Sequence, residues 1–259
     1  MRGGRQLRTY HEEVSDRIAD LSTDELLGLV RRGGLDDLQL LEVLRSPYCS
    51  AQIAELVATD RTSLSMQSVR EKLAGFPGLS NSRAMGLLGS LSWASLIAVA
   101  QSPRTPPLVR RQAERKLILQ VPTLTRGEKI AVARRAHRAL LPALIAGADD
   151  KILNALLDNP RMVENDLVVL ITTGDPPVDF LTSVARHHRW GRSYRVRLAI
   201  VEAATTPLPL ALSVLVQLPK RDQRNLAART DVSERVRSAA EALAARPEED
   251  RRAADGTVV

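Results

Sequence analysis

The chain repeats itself. Leu44-Arg45-Ser46-Pro47 returns as Leu157-Asp158-Asn159-Pro160 at an offset of 113, and a Leu-rich stretch follows each copy. At an offset of 114, Phe76 meets Trp190 and Arg83 meets Arg197. At 127, Leu91 meets Leu218, Val109-Arg110 meets Val236-Arg237, and Ala113-Glu114 meets Ala240-Glu241. A shared order of Pro, aromatic, Arg and Ala-Glu makes residues 44–117 and 157–244 two copies of one unit. Such a unit buries its apolar face against the next, so the repeat limits the architecture before composition does.

Composition narrows the class of repeat. The chain is 44% hydrophobic but only 3% aromatic, so its core is built from Leu, Ala, Val and Ile. Small and unbranched apolar residues suit closely packed helices. Leu167, Leu170 and Ile171, then Phe180, Leu181 and Val184, keep helical spacing instead of strand alternation. Prolines at 47, 77, 103, 106, 107, 122, 160, 176, 177, 207, 209 and 219 stand before apolar segments of helical length, as helix starts require. Ser22 with Glu25 and Thr125 with Glu128 have the spacing of capping boxes, with Leu21 and Leu26 forming a staple at the first. The reading is all-α, an internally duplicated array of short helices. Residues 1–122 form an N-terminal helical region and first repeat block, 123–148 a junction helix and 149–246 a second block. Residues 247–259 form a disordered tail. Pro142 lies inside a long helix expected over 131–146 and should kink it by removing a backbone donor.

Val196-Arg197-Leu198-Ala199-Ile200-Val201, then Thr206-Pro207 and Leu210, resembles the repeat of leucine-rich repeat variant proteins. Ser102-Pro103, Thr105-Pro106 and Asn159-Pro160 are similar to the same repeat, and Ala203-Ala204 stand where it has Asn-Pro. The resemblance covers about half the chain. It implies a right-handed solenoid of short α and 3₁₀ helices, related in shape to HEAT-like and armadillo-like superhelices. The cysteine cluster that accompanies an iron-sulfur site in that family has no counterpart here, since Cys49 is the single cysteine.

The net charge is +7 and unevenly spread. Residues 1–60 carry 7 Lys or Arg against 11 Asp or Glu, a balance of −4, so the rest of the chain carries +11. A basic body steers anionic partners. The densest cluster is residues 186–197, which hold Arg186, His187, His188, Arg189, Trp190, Arg192, Tyr194, Arg195 and Arg197 and no acid. Guanidinium groups beside aromatic faces suit phosphate contact and base stacking. The internal match separates framework from function. Trp190 and Arg197 align with Phe76 and Arg83 and are read as structural, an aromatic plug and a turn-binding Arg. Arg186, His187, Arg189, Arg192, Tyr194 and Arg195 are the candidates for partner or phosphate binding. A second candidate set, Arg134, Arg135 and Arg138, shares one face of the expected junction helix, while Ala131, Val132, Ala136 and Leu140 turn inward.

Catalytic chemistry is poorly represented. His11, His137, His187 and His188 show no metal-ligand spacing, and adjacent histidines are expected to diverge. There is no glycine-rich phosphate loop, nucleophile elbow or dinucleotide fingerprint, and no metal or cofactor is expected. One cysteine and no charged leader point to a reducing cytoplasm, and no run approaches the ~20 apolar residues that cross a bilayer. The expected function is a non-catalytic cytoplasmic scaffold that binds an acidic protein through a basic concave surface. The alternatives are a nucleic-acid-binding module and, through the HEAT-like resemblance, a DNA glycosylase-type enzyme drawing on Trp93, Asp175 and Trp190.

Overall fold

The computed structural model describes Ile18 and residues 20–246 of the chain, so the polar start at 1–7, His11 and the tail at 247–259 lie outside the described residues. Among the described residues every regular element is a helix, and the all-α expectation holds. The chain divides into two compact units, Met1–Thr123 and Leu124–Val259. The first contains α1 (Thr23–Arg32), α2 (Asp37–Arg45), α3 (Ala51–Val57), α4 (Arg61–Ser65), α5 (Gln67–Ala74), α6 (Asn81–Leu87), α7 (Trp93–Gln101) and α8 (Pro107–Gln120). The second contains α9 (Arg126–Ala133), α10 (Leu141–Ile145), α11 (Asp150–Leu157), α12 (Glu164–Thr173), α13 (Val178–Arg186), α14 (Tyr194–Glu202), α15 (Leu208–Leu215), α16 (Lys220–Ala227) and α17 (Glu234–Ala245).

The two units are copies in a single register. The starts of α11, α12, α13, α14, α15, α16 and α17 fall on those of α1, α2, α3, α5, α6, α7 and α8 respectively, all at the one offset of 127. The 3₁₀ turn Trp190–Arg192 falls where α4 lies in the first unit. Buried side chains keep the same offset: Leu26 and Leu153, Leu40 and Leu167, Ile53 and Phe180, Val69 and Val196, Leu88 and Leu215, Ala113 and Ala240. Packing is also duplicated. α1 packs on α3 as α11 packs on α13, α5 joins α2 and α6 as α14 joins α12 and α15, and α8 joins α6 and α7 as α17 joins α15 and α16.

This register corrects the offsets of 113 and 114. Successive helices start at even steps, at positions 23, 37 and 51 and again at 150, 164 and 178. Pairing Pro47 with Pro160 slips the comparison by one helix, setting the end of α2 on the end of α11. Helix punctuation hides the true register, because Ser and Pro exchange at equivalent N-caps. Ser50, Ser80 and Ser92 correspond to Pro177, Pro207 and Pro219, and Pro106 to Ser233, all with ψ between 139° and 165°. Ser50, Ser92 and Ser233 hold that extended geometry with a side-chain acceptor and proline holds it through its ring, so either starts a helix.

The capping boxes at Ser22/Glu25 and Thr125/Glu128 form, and Asp36 with Gln39 makes a third. Helices as short as these are marginal alone, so their stability rests on burial against neighbours. The junction helix expected over 131–146 is not continuous. α9 stops at Ala133, the chain turns through 134–137, and a 3₁₀ turn at Arg138–Leu140 leads into α10. Pro142 sits in the first turn of α10, where its missing donor leaves no bond unmade, so it starts a helix and kinks none. Buried Asn159 seals the break, its Nδ2 donating to the carbonyls of Ala133 and Ala136 at 2.9 Å each while its Oδ1 accepts from the Arg161 amide.

Candidate functional site

The basic segment joins α13 to α14. Phe180, Leu181 and Val184 bury one face of α13, the helix ends at His187, and Ser193 restarts the chain by accepting from the Val196 amide. The intervening turn is tight enough to demand glycine, because a Cβ on Gly191 would stand 2.2 Å from the Ala185 carbonyl oxygen. Trp190 is 3% exposed, and its indole N–H donates to the Leu157 carbonyl at 2.8 Å, satisfying an orphan acceptor at the end of α11. Arg197 turns back onto the segment, Nε donating to the Gly191 carbonyl at 2.6 Å.

Two candidate binders are drawn into the framework. His187 is buried rather than presented to a partner: its Nδ1 accepts from the Arg189 amide at 3.3 Å, which puts the ring proton on Nε2, 3.1 Å from Asp158 Oδ1. Arg195 keeps an exposed side chain, but Glu164 holds it at 3.3 Å and Asn165 Oδ1 at 3.4 Å. Tyr194 is 47% exposed, and the Asp222 carboxylate that accepts its hydroxyl pushes the phenol's pKa up. Arg186, His188, Arg189 and Arg192 remain exposed on one short stretch. The Arg189 guanidinium lies 4.0 Å from the centroid of the Trp190 ring, a cation-π contact that fixes its orientation. Arg186 also borders an approximately 480 Å³ hollow walled by Val178, Ala185, Pro207, Leu210 and Val214.

Arg134, Arg135 and Arg138 are all exposed, and Val132, Ala136 and Leu140 are buried, but the three arginines lie in the turn after α9 and not along a helix face. The pairing of Phe76 and Arg83 with Trp190 and Arg197 does not survive. Phe76 is only half-buried, and Arg83 pairs with Glu55 of α3 at 2.5 Å. In the structural register the counterpart of Arg197 is Arg70, which donates to the carbonyls of Leu64 at 2.5 Å and Ser65 at 3.0 Å. The same register sets His187, Arg189, Arg192 and Arg195 opposite Asp60, Thr62, Ser65 and Ser68, none of them basic.

The adjacent histidines do not diverge. Their ring centroids are 4.4 Å apart with planes tilted by 36°, and donor atoms of Asp158, His187 and His188 lie within 4.8 Å of one another. Both ring nitrogens of His187 already hold protein partners, and Arg189 adjoins the group, so the arrangement is satisfied as a hydrogen-bonded strut. For a DNA glycosylase, the buried Trp190 offers no face for a base. Cys49 is half-buried and its thiol is pushed up to about 11 by desolvation, which makes it a poor nucleophile.

One basic group escaped the sequence reading: Arg45, Lys72 and Arg104, which line an approximately 660 Å³ cavity in the first unit. They come from α2, α5 and the turn after α7, and no local pattern links positions so far apart. Compared with family models, curated proteins and solved structures, the chain matches none.

Proposed function

We propose that the protein is a non-catalytic helical-repeat scaffold that docks an acidic protein partner through the exposed part of the basic segment, Arg186, His188, Arg189 and Arg192. The observation that carries this reading is the position of Arg186, which joins the exposed cations to the apolar hollow between α13 and α15. Protein interfaces combine such an apolar centre with Arg at the contact. Nucleic acid would use the same guanidinium groups but would gain no stacking on Trp190, which is buried beneath Arg189. The solenoid reading draws support from the duplicated packing, in which the pairs joining α1 to α8 and α11 to α17 link helices no more than three apart in sequence, as in arrays where each repeat rests on its neighbours. Among the described residues, no helix is long and apolar enough to cross a membrane.

Fluorescence anisotropy tests the reading. A labelled Glu- and Leu-rich peptide should bind more tightly than labelled duplex or single-stranded DNA or RNA at ~150 mM salt, and R189A/R192A should weaken that binding. Nucleic-acid binding that is tighter and falls steeply with salt would replace the protein-partner reading with the nucleic-acid one.

A further inference from the structure

The internal duplication supplies a comparison that a single unit cannot. In the second unit Glu202, Arg229 and Asp231 form a closed ionic cluster: Arg229 Nη1 pairs with Glu202, and Nη2 meets Asp231 Oδ2 at 2.6 Å. These carboxylates hold the guanidinium firmly in its charged form, and Arg229 in turn lowers the Asp231 pKa. In the register that relates the two units, the matching positions of the first are Gly75, Ser102 and Arg104. Both carboxylates are gone, and a cation stands where Asp231 stands in the copy. Lys72 and Arg45 likewise correspond to Ala199 and Thr172, so two further cations enter the same place.

The result is a cavity of approximately 660 Å³ lined by Arg45, Lys72 and Arg104 against one carboxylate, Glu71. Glu71 already accepts from the Ser95 hydroxyl at 2.7 Å, and Arg45 is held by Glu42 at 2.7 Å. Lys72 and Arg104 have no such acid. The strain registers at Lys72, whose pKa is lowered by burial, then by Arg45 and Arg104, with the Cys49 thiol and Glu42 acting weakly in the opposite sense. The remaining wall is apolar, including Leu44, Phe76, Pro77 and Val99. A volume within the ~300–1,000 Å³ of small-molecule sites exceeds what a bare ion needs.

We propose that this cavity of the first unit binds a small organic phosphate monoester, whose dianionic head takes the place that Glu202 and Asp231 fill in the second unit and whose apolar body lies against Phe76 and Val99. A phosphate monoester carries close to two charges at neutral pH, matching Lys72 and Arg104, the two lining cations that no carboxylate holds, whereas a carboxylate carries one. Arg104 supplies a planar fork for two phosphate oxygens and Lys72 a point charge for the third. Gly75 and Thr105 pack closely in the lining, since a Cβ on Gly75 would meet Thr105 Oγ1 at 3.2 Å. The site stands in a different unit from the basic segment and does not depend on the docking function proposed for it.

Calorimetric titration with phenyl phosphate tests the assignment, with benzoate and benzyl alcohol as comparison ligands. One molecule of phenyl phosphate should bind per chain, more tightly than benzoate, with benzyl alcohol weaker still. R104D, which restores the acid of the second unit, should weaken phenyl phosphate binding by ~10-fold or more, and K72Q by a similar factor. R189A/R192A should leave it unchanged. Arg104 is exposed, so R104D keeps its fold and remains decisive if K72Q does not. Equal affinity in R104D, loss of binding in R189A/R192A, a preference for benzoate, or no binding at millimolar phenyl phosphate would each overturn the proposal.

Discussion

Arg197 and Arg70 hold equivalent positions in the two units and make the same reach-back. Each is the fourth residue of its helix, each follows a buried valine, and each donates to the carbonyl six residues earlier, Gly191 and Leu64 respectively. Arg110 and Arg237 occupy the same fourth position, after Val109 and Val236, in α8 and α17. The Val-Arg pair therefore recurs at one position in four helices, with valine filling the core in all four and arginine closing the preceding turn in α5 and α14. Replacing Arg197 or Arg70 by Ala should lower the unfolding free energy by ~1.5–3 kcal/mol, measured by urea denaturation, because a carbonyl loses a charged donor. Lysine should recover little of this, lacking the guanidinium fork.

That signature shows where sequence reading succeeds and where it stops. The helical class was legible in the helical spacing of Leu167, Leu170 and Ile171, and the caps at Ser22 and Thr125 in the short motifs that open their helices. These are local interactions, and local spacing records them. The register was not legible, because an even helix step permits a one-helix slip and Ser/Pro exchange at N-caps removes the landmarks that would expose it. The candidate site divides the same way. Arg189 and Arg192 are exposed as a basic turn suggests, but His187 and Arg195 are engaged by Asp158 and Glu164, 29 and 31 residues away. Only the packing of α11 and α12 against this segment brings those carboxylates near.

Glycine positions separate backbone demand from tolerance. Gly191→Ala should destabilise the second unit by ~1–3 kcal/mol, since the new Cβ would press on the backbone of Ala185. Gly86 lies inside α6 with nothing within 4 Å of its would-be Cβ, so Gly86→Ala should stabilise by ~0.5–1 kcal/mol. Urea midpoints of the two variants, moving in opposite directions, check both statements.

Within the basic segment, stability and binding should part company. Arg192→Ala should change the unfolding free energy by no more than ~0.5 kcal/mol, because its side chain is exposed. His187→Ala should cost ~1–3 kcal/mol, because it leaves the Arg189 amide without its acceptor and opens space beside Trp190. Parallel measurement of peptide affinity and thermal midpoint distinguishes the two classes of residue.

Asn159 closes the break between α9 and α10 with three hydrogen bonds and is fully buried. Asn159→Ala should cost ~3 kcal/mol or more, since two buried carbonyls lose their donor and the part-buried Arg161 amide loses its acceptor. Asn159→Asp should be no better, because a carboxylate cannot donate to Ala133 and Ala136. Hydrogen exchange should show the loss first at the end of α9.

Acid sensitivity follows from the capping carboxylates. Asp60 is held below its usual range by the Ser63 hydroxyl and amide, Glu55 by Ser80 and Arg83, and Asp149 by the Ile152 amide and Arg126. Each folded pKa is depressed, so the stability these groups contribute is fully present above the unfolded carboxylate range, near ~4, and is lost as pH falls through the folded values. Urea midpoints should therefore be insensitive to these groups between about pH 5 and 7 and decline below about pH 4. Asp60→Asn should lower the midpoint at pH 7 and flatten part of the acid decline, because the amide accepts more weakly from the Ser63 amide and hydroxyl and no longer titrates.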